Sequence, residues 1–298
     1  PYWLNHGDLN EPAAPGDQRC DDMNSLFFDT APLKEHFDIL GAPAIDLEIE
    51  VDQPVALVAV RLCDVAPSGA STRVSYGLLN LTHSKNHEAV ELLEREKIYK
   101  VRVQLNDIAH RFSAGNKIRI AISTSHWPVV WPSPNMVTLG LHTGASRLTL
   151  PYRAPSANDE HLAPLPPPAH CQPHSTTVLQ AGLPVTTTVE RDIATGRICV
   201  SDESDSGREC FDRHGWEVRR YSKMQRTLIA GDPLSARTTL QGRLEFGRRD
   251  QLNTHSDVFC DLWCDETSFH IKATLDAFEN DKLVFSRTWS EAIPREGI

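Results

Sequence analysis

A single stretch, Ala56 to Leu81, constrains the fold more than any other part of the sequence. Residues 56–65 are apolar and β-branched, which is typical of a strand buried in a sandwich core. Residues 67–69 read Pro-Ser-Gly and supply a turn, and residues 72–81 then alternate between apolar and polar side chains. The stretch therefore predicts a β-hairpin that forms a core, and it contains no nucleophile motif, metal-binding cluster or phosphate-binding loop.

The rest of the first half repeats this pattern at short spacing. Strand candidates with turn formers between them are residues 25–29, 37–40, 45–51, 98–105, 117–123, 137–141 and 147–150. Short strands separated by turns predict an all-β sandwich. The segment 88–95 fits either a helix or an extended loop.

A polar, proline-rich stretch over residues 154–174 has the composition of a linker. We therefore predict a first domain over residues 1–153, which includes an irregular N-terminal arm, and a second antiparallel β-rich domain over residues 175–298. The second half alternates in a similar way, and its acidic segment 202–208 is predicted to be a solvated loop without calcium-site spacing.

Bulk composition excludes several classes of partner. The chain has 298 residues and a formal net charge of −10 at pH 7, which argues against nucleic acid or an anionic membrane as partner. No apolar run is long enough to span a bilayer, and the start resembles no signal peptide. Because there is also no initiator Met, we expect a processed chain or a segment of a longer gene product. The seven irregularly spaced cysteines favour reduced thiols and a cytoplasmic location.

The sequence offers no catalytic, metal-binding or cofactor-binding residue. It lacks the Gly-x-Ser-x-Gly elbow of α/β serine hydrolases. Ser125 and His126 are adjacent, so in a strand they would point to opposite faces. Cys260 and Cys264 would lie roughly 13 Å apart on a strand, too far to share a zinc ion. We therefore predict no cofactor.

The most unusual segment, residues 126–134, combines two tryptophans with three prolines. Trp127 and Trp131 are candidates either to pack against another domain or to stack on a sugar. Packing is the favoured interpretation, and the sugar alternative stays open.

Many ordered stretches of the first half resemble the C-terminal non-catalytic region of the CocE/NonD and X-Pro dipeptidyl-peptidase (peptidase S15) hydrolases. These stretches are residues 17–22, 26–33, 40–43, 60–69, 77–83, 118–123, 127–134 and 148–151. The second half is more loosely similar to an extra β-domain of some of these hydrolases, over residues 231–236 and 289–295.

The resemblance implies a jelly-roll, galactose-binding-like β-sandwich that accompanies an α/β-hydrolase domain with a Ser-His-Asp triad. No triad motif can be carried over to this chain, so whether the chain is itself an enzyme stays undecided. The expected partner is the catalytic domain, with a homo-oligomer as a further candidate. The contact residues that we predict are Asp17, Arg19, Asp21, Asp22, Trp127 and Trp131. Alternative hypotheses are a carbohydrate-binding module and a purely structural or oligomerisation unit.

Overall fold

A computed structural model describes residues 16–298, except 162, 165, 168–170 and 249–250 and the side chains at 158 and 160. Its regular structure is almost entirely β. The exceptions are one short helix, α1 (Arg19–Asp22), and two 3-10 turns, Leu81–His83 and Ala157–His161. The all-β prediction is confirmed. No helix within the described ranges has the length and apolar character needed to cross a membrane.

Two compact units divide the described chain. The first contains the residues up to 165 together with Glu296–Ile298, and the second contains Pro166–Arg295. The strands of the first unit are β1 (Leu26–Asp29), β2 (Phe37–Gly41), β3 (Ala44–Val51), β4 (Leu57–Val65), β5 (Ser71–Asn80), β6 (Tyr99–Gln104), β7 (Ile108–Phe112), β8 (Lys117–Ser123), β9 (Leu139–Leu141) and β10 (Arg147–Thr149).

Antiparallel pairing arranges these strands into sheets around the expected hairpin. One four-stranded sheet has the order β1-β8-β4-β5, so β4 and β5 pair directly. A second sheet has the order β10-β3-β6 with β9 also on β3, and β2 pairs with β7. The turn of the hairpin places Gly69 at φ +88°, a conformation that favours glycine. The sequence did not identify β7 as a strand.

One hydrophobic core lies between the first two sheets. On β3 the apolar residues Ile45, Leu47, Ile49 and Val51 are buried and alternate with half-exposed acidic residues. On β4 both faces are buried: Val58, Val60 and Leu62 join the core, while Leu57, Ala59, Arg61 and Cys63 face the other way. This double burial explains why the first arm of the hairpin is apolar almost throughout. Residues 88–95 form an extended loop, so the helical alternative is wrong.

The second unit is one antiparallel sheet. Its strands are β11 (Thr176–Gln180), β12 (Leu183–Arg191), β13 (Arg197–Phe211), β14 (Trp216–Ile229), β15 (Asp232–Gly247), β16 (Asn253–Cys264), β17 (Ser268–Glu279) and β18 (Lys282–Pro294). The order is β11-β13-β14-β15-β16-β17-β18, with β12 also on β13.

The prediction of a loop over residues 202–208 is wrong, because β13 runs through it. The acidic side chains are compatible with a strand because basic side chains of β14 pair with them: Asp202 with Arg226, Glu203 with Lys223, and Asp205 with Arg219. A charge run in the sequence does not reveal such cross-strand partners.

The two faces of this sheet differ in chemistry, as the strand register shows. Cross-strand partners lie on the same face. One face carries the row Asp205, Tyr221, Arg243 and Asp257. The other carries the row Met224, Leu240, Cys260, Ala273 and Trp289. Within the described part of the second unit, only Ala236 and the cysteines 199, 210 and 264 are buried apolar residues. The unit is therefore a single-layer sheet without a hydrophobic core of its own.

Candidate docking face of the sandwich

Asp22, in the helix α1, forms a buried ion-pair network on the outer face of the β1-β8-β4-β5 sheet. Its Oδ1 lies 3.0 Å from Nη1 of Arg61, and its Oδ2 lies 3.0 Å from Nη1 of Arg119. The side chains of Asp22 and Arg61 are only 2% and 3% exposed. Arg61 on β4 and Arg119 on β8 come from adjacent strands of the sheet. One carboxylate therefore connects the segment before β1 to the centre of the sheet.

Arg61 also fixes the neighbouring residues of this segment. Its Nη1 donates to Oε1 of Gln18 at 3.1 Å, and its Nη2 donates to Oγ of Ser25 at 3.0 Å. The backbone N–H of Gln18 donates to the carbonyl of Ser71 on β5 at 2.7 Å. Residues 17–25, which we call the arm, are thus hydrogen-bonded to two strands of the sheet.

Asp17 orders the start of the arm. Its Oδ1 accepts from the backbone N–H groups of Arg19 at 3.0 Å and of Ser71 at 3.2 Å, and its Oδ2 accepts from Nε of Arg19 at 2.6 Å. The backbone N–H of Arg19 is the main cause that lowers the pKa of Asp17 below its usual value. Asp17 therefore fixes the turn that precedes α1 and joins it to Ser71 of β5.

The other charged and titratable groups of this face have structural and not catalytic environments. Hydrogen bonds from Arg119 to Asp29 first, and then to Asp22, raise the pKa of Arg119 further above its already high value. Burial raises the pKa of the Cys63 thiol to about 11, so the thiol stays protonated at neutral pH. Since the thiolate is the reactive form, Cys63 is unsuited to nucleophilic chemistry.

Residues 126–134, which we call the Trp loop, form a compact unit. The Trp127–Pro128 peptide bond is cis, and the backbone N–H groups of Val129 and Val130 both donate to the carbonyl of His126. The rings of Trp127 and Trp131 meet edge to face, with centroids 5.1 Å apart and an interplanar angle of 89°. Both tryptophans are half-buried. The two rings mainly pack on each other and do not form a flat, exposed platform.

His126 connects the Trp loop to β5. Its ring lies 5.6 Å from that of Tyr76, which also contacts the guanidinium of Arg73 at 4.9 Å. His126 is 7% exposed. Burial, together with the nearby charges of Arg61 and Arg73, lowers its pKa to about 4, so the imidazole is neutral at pH 7. Within the described residues, Nε2 of His126 and Nε1 of Trp127 are buried without a hydrogen-bond partner.

The arm and the Trp loop lie on the same outer face. Tyr76, whose ring packs on His126 of the loop, lies opposite Arg61 in the strand register, and Arg61 pairs with Asp22 of the arm. Exposed apolar side chains accompany them: Met23 after α1, Phe27 on β1 and Leu78 on β5 are 83%, 44% and 36% exposed. We call this surface the outer face. It comprises the arm, the Trp loop and these three side chains.

The six residues that the sequence predicted as contacts have different environments. Asp22 is buried in the ion-pair network, Asp17 accepts from the backbone N–H groups of Arg19 and Ser71, and Trp127 and Trp131 form a half-buried pair. Arg19 and Asp21 are exposed. Their role as contact residues stays a prediction.

Sequence reasoning missed the residues that connect these elements: Arg61, Arg119, Tyr76 and His126. One signal was present. Arg61 interrupts the apolar run of β4, and a charged side chain in a central, doubly buried strand requires a partner. The partner itself, Asp22, is 39 positions away and cannot be inferred from this signal.

A histidine–aspartate pair on the first unit resembles part of a catalytic triad. His110 Nε2 lies 3.1 Å from Oδ2 of Asp64, whose Oδ1 accepts from Asn116. In the described ranges no serine or cysteine hydrogen-bonds to His110, so this pair connects strands and does not form a triad. No group of three His, Cys, Asp or Glu side chains in those ranges is arranged to hold a metal ion.

The charged face of the second unit contains a shallow trough of about 450 Å³. Its lining includes Asp205, Arg219, Arg243 and Asp257. These side chains pair with each other across the strands, Asp205 with Arg219 and Arg243 with Asp257, both at 2.6 Å. The trough therefore consists of ion pairs that are already satisfied.

Comparison with known proteins supports the resemblance seen in the sequence. A family model described as the X-Pro dipeptidyl-peptidase C-terminal non-catalytic domain matches residues 2–168. No curated protein sequence gives a significant match.

Several solved structures resemble part of the chain. One is an α-amino acid ester hydrolase labelled with selenomethionine (22% identity over 46% of this chain and 27% of that chain, TM-score 0.44). Another is an aminopeptidase from a marine sediment Thaumarchaeota archaeon (23% identity over 40% of this chain and 21% of that chain, TM-score 0.38). A third is a CocE/NonD family hydrolase from Staphylococcus aureus (14% identity over 46% of this chain and 32% of that chain, TM-score 0.38). The chain spans between about a fifth and a third of the length of these proteins.

Proposed function

The chain belongs to the family of X-Pro dipeptidyl-peptidase C-terminal non-catalytic domains, and from this premise we propose that it is the accessory C-terminal region of a serine hydrolase. Its role is to dock on an α/β-hydrolase catalytic domain. The parent enzyme would act on acyl esters or amides, including X-Pro peptides. The chain itself would supply no catalytic group and no cofactor.

The outer face of the sandwich is the observation that carries this proposal. Asp22, Arg61 and Arg119 hold the arm rigidly on the sheet. On the two edge strands of this sheet, Phe27 of β1 and Leu78 of β5 expose apolar side chains. A rigid surface that combines exposed apolar side chains with charged groups fixed in ion pairs is suited to contact with another protein.

A finer role follows if the Trp loop lies at the edge of this interface. Trp127 and Trp131 would then contribute to the wall of the substrate entrance of the catalytic domain, or to an oligomer interface. The cytoplasmic location predicted from the cysteines belongs to the same proposal, and all seven cysteines are free thiols.

The carbohydrate-binding alternative requires an exposed aromatic face on which a sugar ring can stack. Trp127 and Trp131 meet edge to face and are half-buried. This geometry favours packing against protein over sugar binding.

Two assays of hydrolysis test the proposal. The isolated chain should not hydrolyse a p-nitrophenyl ester or an X-Pro anilide, and a fluorophosphonate should not label it. Turnover that this serine-directed reagent abolishes would contradict the accessory role. The same chain fused to the hydrolase domain that we expect its gene to encode upstream should be active.

The docking face is tested in that longer protein. Leu78→Glu should lower the thermal stability of the hydrolase domain, because it places a charge in the proposed interface. The matched control is Ile193→Glu, since Ile193 is 93% exposed in a turn of the second unit. Equal effects of both variants, or no effect of Leu78→Glu, would exclude the outer face as the docking surface.

A further inference from the structure

The last strand, β18, is an exposed edge of the sheet. It pairs only with β17 within the described chain, and every residue of β18 except the half-buried Trp289 is exposed. Proteins usually protect such edges with prolines, charged side chains or bulges. Here Lys282 and Pro294 lie at the two ends, and the register irregularity lies before Phe285. The nine residues 285–293 between them are regular and contain no proline, lysine or bulge, and Arg287 and Glu291 are their two charged residues.

This regular stretch is self-complementary about its central residue, Trp289. Arg287 and Glu291 lie two positions to either side of Trp289, and Phe285 and Ile293 lie four positions to either side. All five share the apolar face of the sheet, because residues two apart on a strand point to the same side. If a second copy of the strand paired antiparallel about Trp289, Arg287 of each copy would lie opposite Glu291 of the other. Phe285 would likewise lie opposite Ile293.

The two charges have no ion-pair partner among the described residues of their own chain. The register neighbours of Arg287 and Glu291 on β17 are the apolar Leu275 and Ile271. Arg287 packs over the ring of Trp289, with its guanidinium carbon 4.8 Å from the ring centroid. By contrast, the arginines Arg219, Arg237 and Arg243 in the interior of the sheet all pair with a carboxylate.

We propose that the chain forms a two-fold symmetric homodimer in which the β18 strands of two copies pair antiparallel, centred on Trp289. The pairing covers roughly 30 Å of edge and joins the two sheets into one. The apolar row that ends at Trp289 then continues into the second copy. This inference does not depend on the assignment to a hydrolase.

Sedimentation equilibrium of the full 298-residue chain, from micromolar to submillimolar concentration, tests the dimer. The wild-type chain should associate to twice its 33.3 kDa mass. Arg287→Glu alone or Glu291→Arg alone places like charges opposite each other twice, once on each side of the two-fold axis. Each single variant should therefore raise the dissociation constant at least about tenfold.

Combining the two substitutions should restore the dimer. The double variant, with both substitutions in one chain, again has unlike charges opposite each other and should dimerise as the wild type does. A mixture of the two single variants should form a heterodimer, since each then presents the charge that the other lacks. Arg191→Glu, in the opposite edge strand β12, is the matched control and should leave the dissociation constant unchanged.

Three results would overturn the proposal. The first is a wild-type chain that sediments as a monomer throughout the concentration range. The second is a dimer that neither single variant weakens. The third is that the double variant and the mixture of single variants both remain monomeric, although circular dichroism shows that their sheets are folded. If a single variant fails to fold, the double variant still decides, because it restores the charge pairing and keeps the composition of the strand.

Discussion

The carboxylate of Asp22 and the guanidinium of Arg61 lie 3.0 Å apart, and both side chains are almost completely removed from solvent. They come from segments 39 positions apart and unlike in character, a one-turn helix and a central strand. Because Arg61 also donates to Gln18 and Ser25, removing the arm would leave a buried cation with fewer partners. The arm and the strand β4 therefore depend on each other for stability.

Asp22→Ala should be strongly destabilising. The change leaves Arg61 buried without its countercharge, which typically costs about 3–5 kcal/mol. Urea denaturation monitored by tryptophan fluorescence measures the loss in the free energy of unfolding. Asp21→Ala is the control, because Asp21 is exposed in the same helix and should change stability by less than about 0.5 kcal/mol. Equal effects of the two substitutions would mean that the buried pair does not anchor the arm.

His126 should make the stability of the sandwich depend on pH. Its folded-state pKa is about 4, depressed chiefly by burial, whereas that of a histidine in the unfolded chain is about 6.5. Between these values the unfolded state binds more protons, so stability is complete above about pH 6.5 and falls as the pH decreases towards 4. The loss over this window should be about 3 kcal/mol.

Urea midpoints measured at intervals of pH test this dependence. His126→Gln should flatten the slope between pH 6.5 and 4. His142→Gln, at an exposed position, should preserve it. A slope that survives unchanged in His126→Gln would assign the pH dependence to other groups.

Local patterns were sufficient to predict the hairpin, the alternation on β3 and most of the strands. They failed where the deciding interaction is between distant residues. The acidic segment 202–208 was predicted to be a loop, because its basic partners lie on β14. For the same reason the segment was predicted to be an irregular arm with contact residues, and the pairing of Asp22 with two arginines of the sheet was not foreseen. Hydrophobic periodicity and β-propensity describe one strand at a time, whereas these ion-pair partners depend on the order of the strands in the sheet.

Gly77 should not tolerate a side chain. A Cβ atom at this position of β5 would lie 2.5 Å from the backbone oxygen of Gln104 and 3.1 Å from Cγ1 of Val103. Because a backbone oxygen cannot rotate away, Gly77→Ala must shift a strand and should cost about 1–3 kcal/mol. Gly242→Ala is the matched control in a central strand, since its Cβ would meet nothing closer than a backbone oxygen at 3.7 Å. Thermal unfolding of both variants measures the difference, and a neutral Gly77→Ala would contradict this packing.

The C-terminal tail should detach from the first unit when Gly297 is replaced by alanine. The carbonyl of Gly297 accepts from Nδ2 of Asn80 at 2.7 Å and from Oγ1 of Thr82 at 2.8 Å. Gly297 has φ +72°, and a Cβ would lie 2.7 Å from Cγ1 of Val90 and 2.8 Å from Oγ1 of Thr82. The alanine therefore meets both backbone strain and a steric clash, together about 1–3 kcal/mol.

Carboxypeptidase digestion followed by mass spectrometry measures this detachment, because only a released tail is cleaved. Gly297→Ala should lose the last three residues about tenfold faster or more than the unmodified chain, in proportion to the open fraction. Gly144→Ala controls for the substitution itself, since nothing lies within 4 Å of a Cβ at that position. Equal cleavage rates in all three proteins would show that Asn80 and Thr82 do not hold the tail.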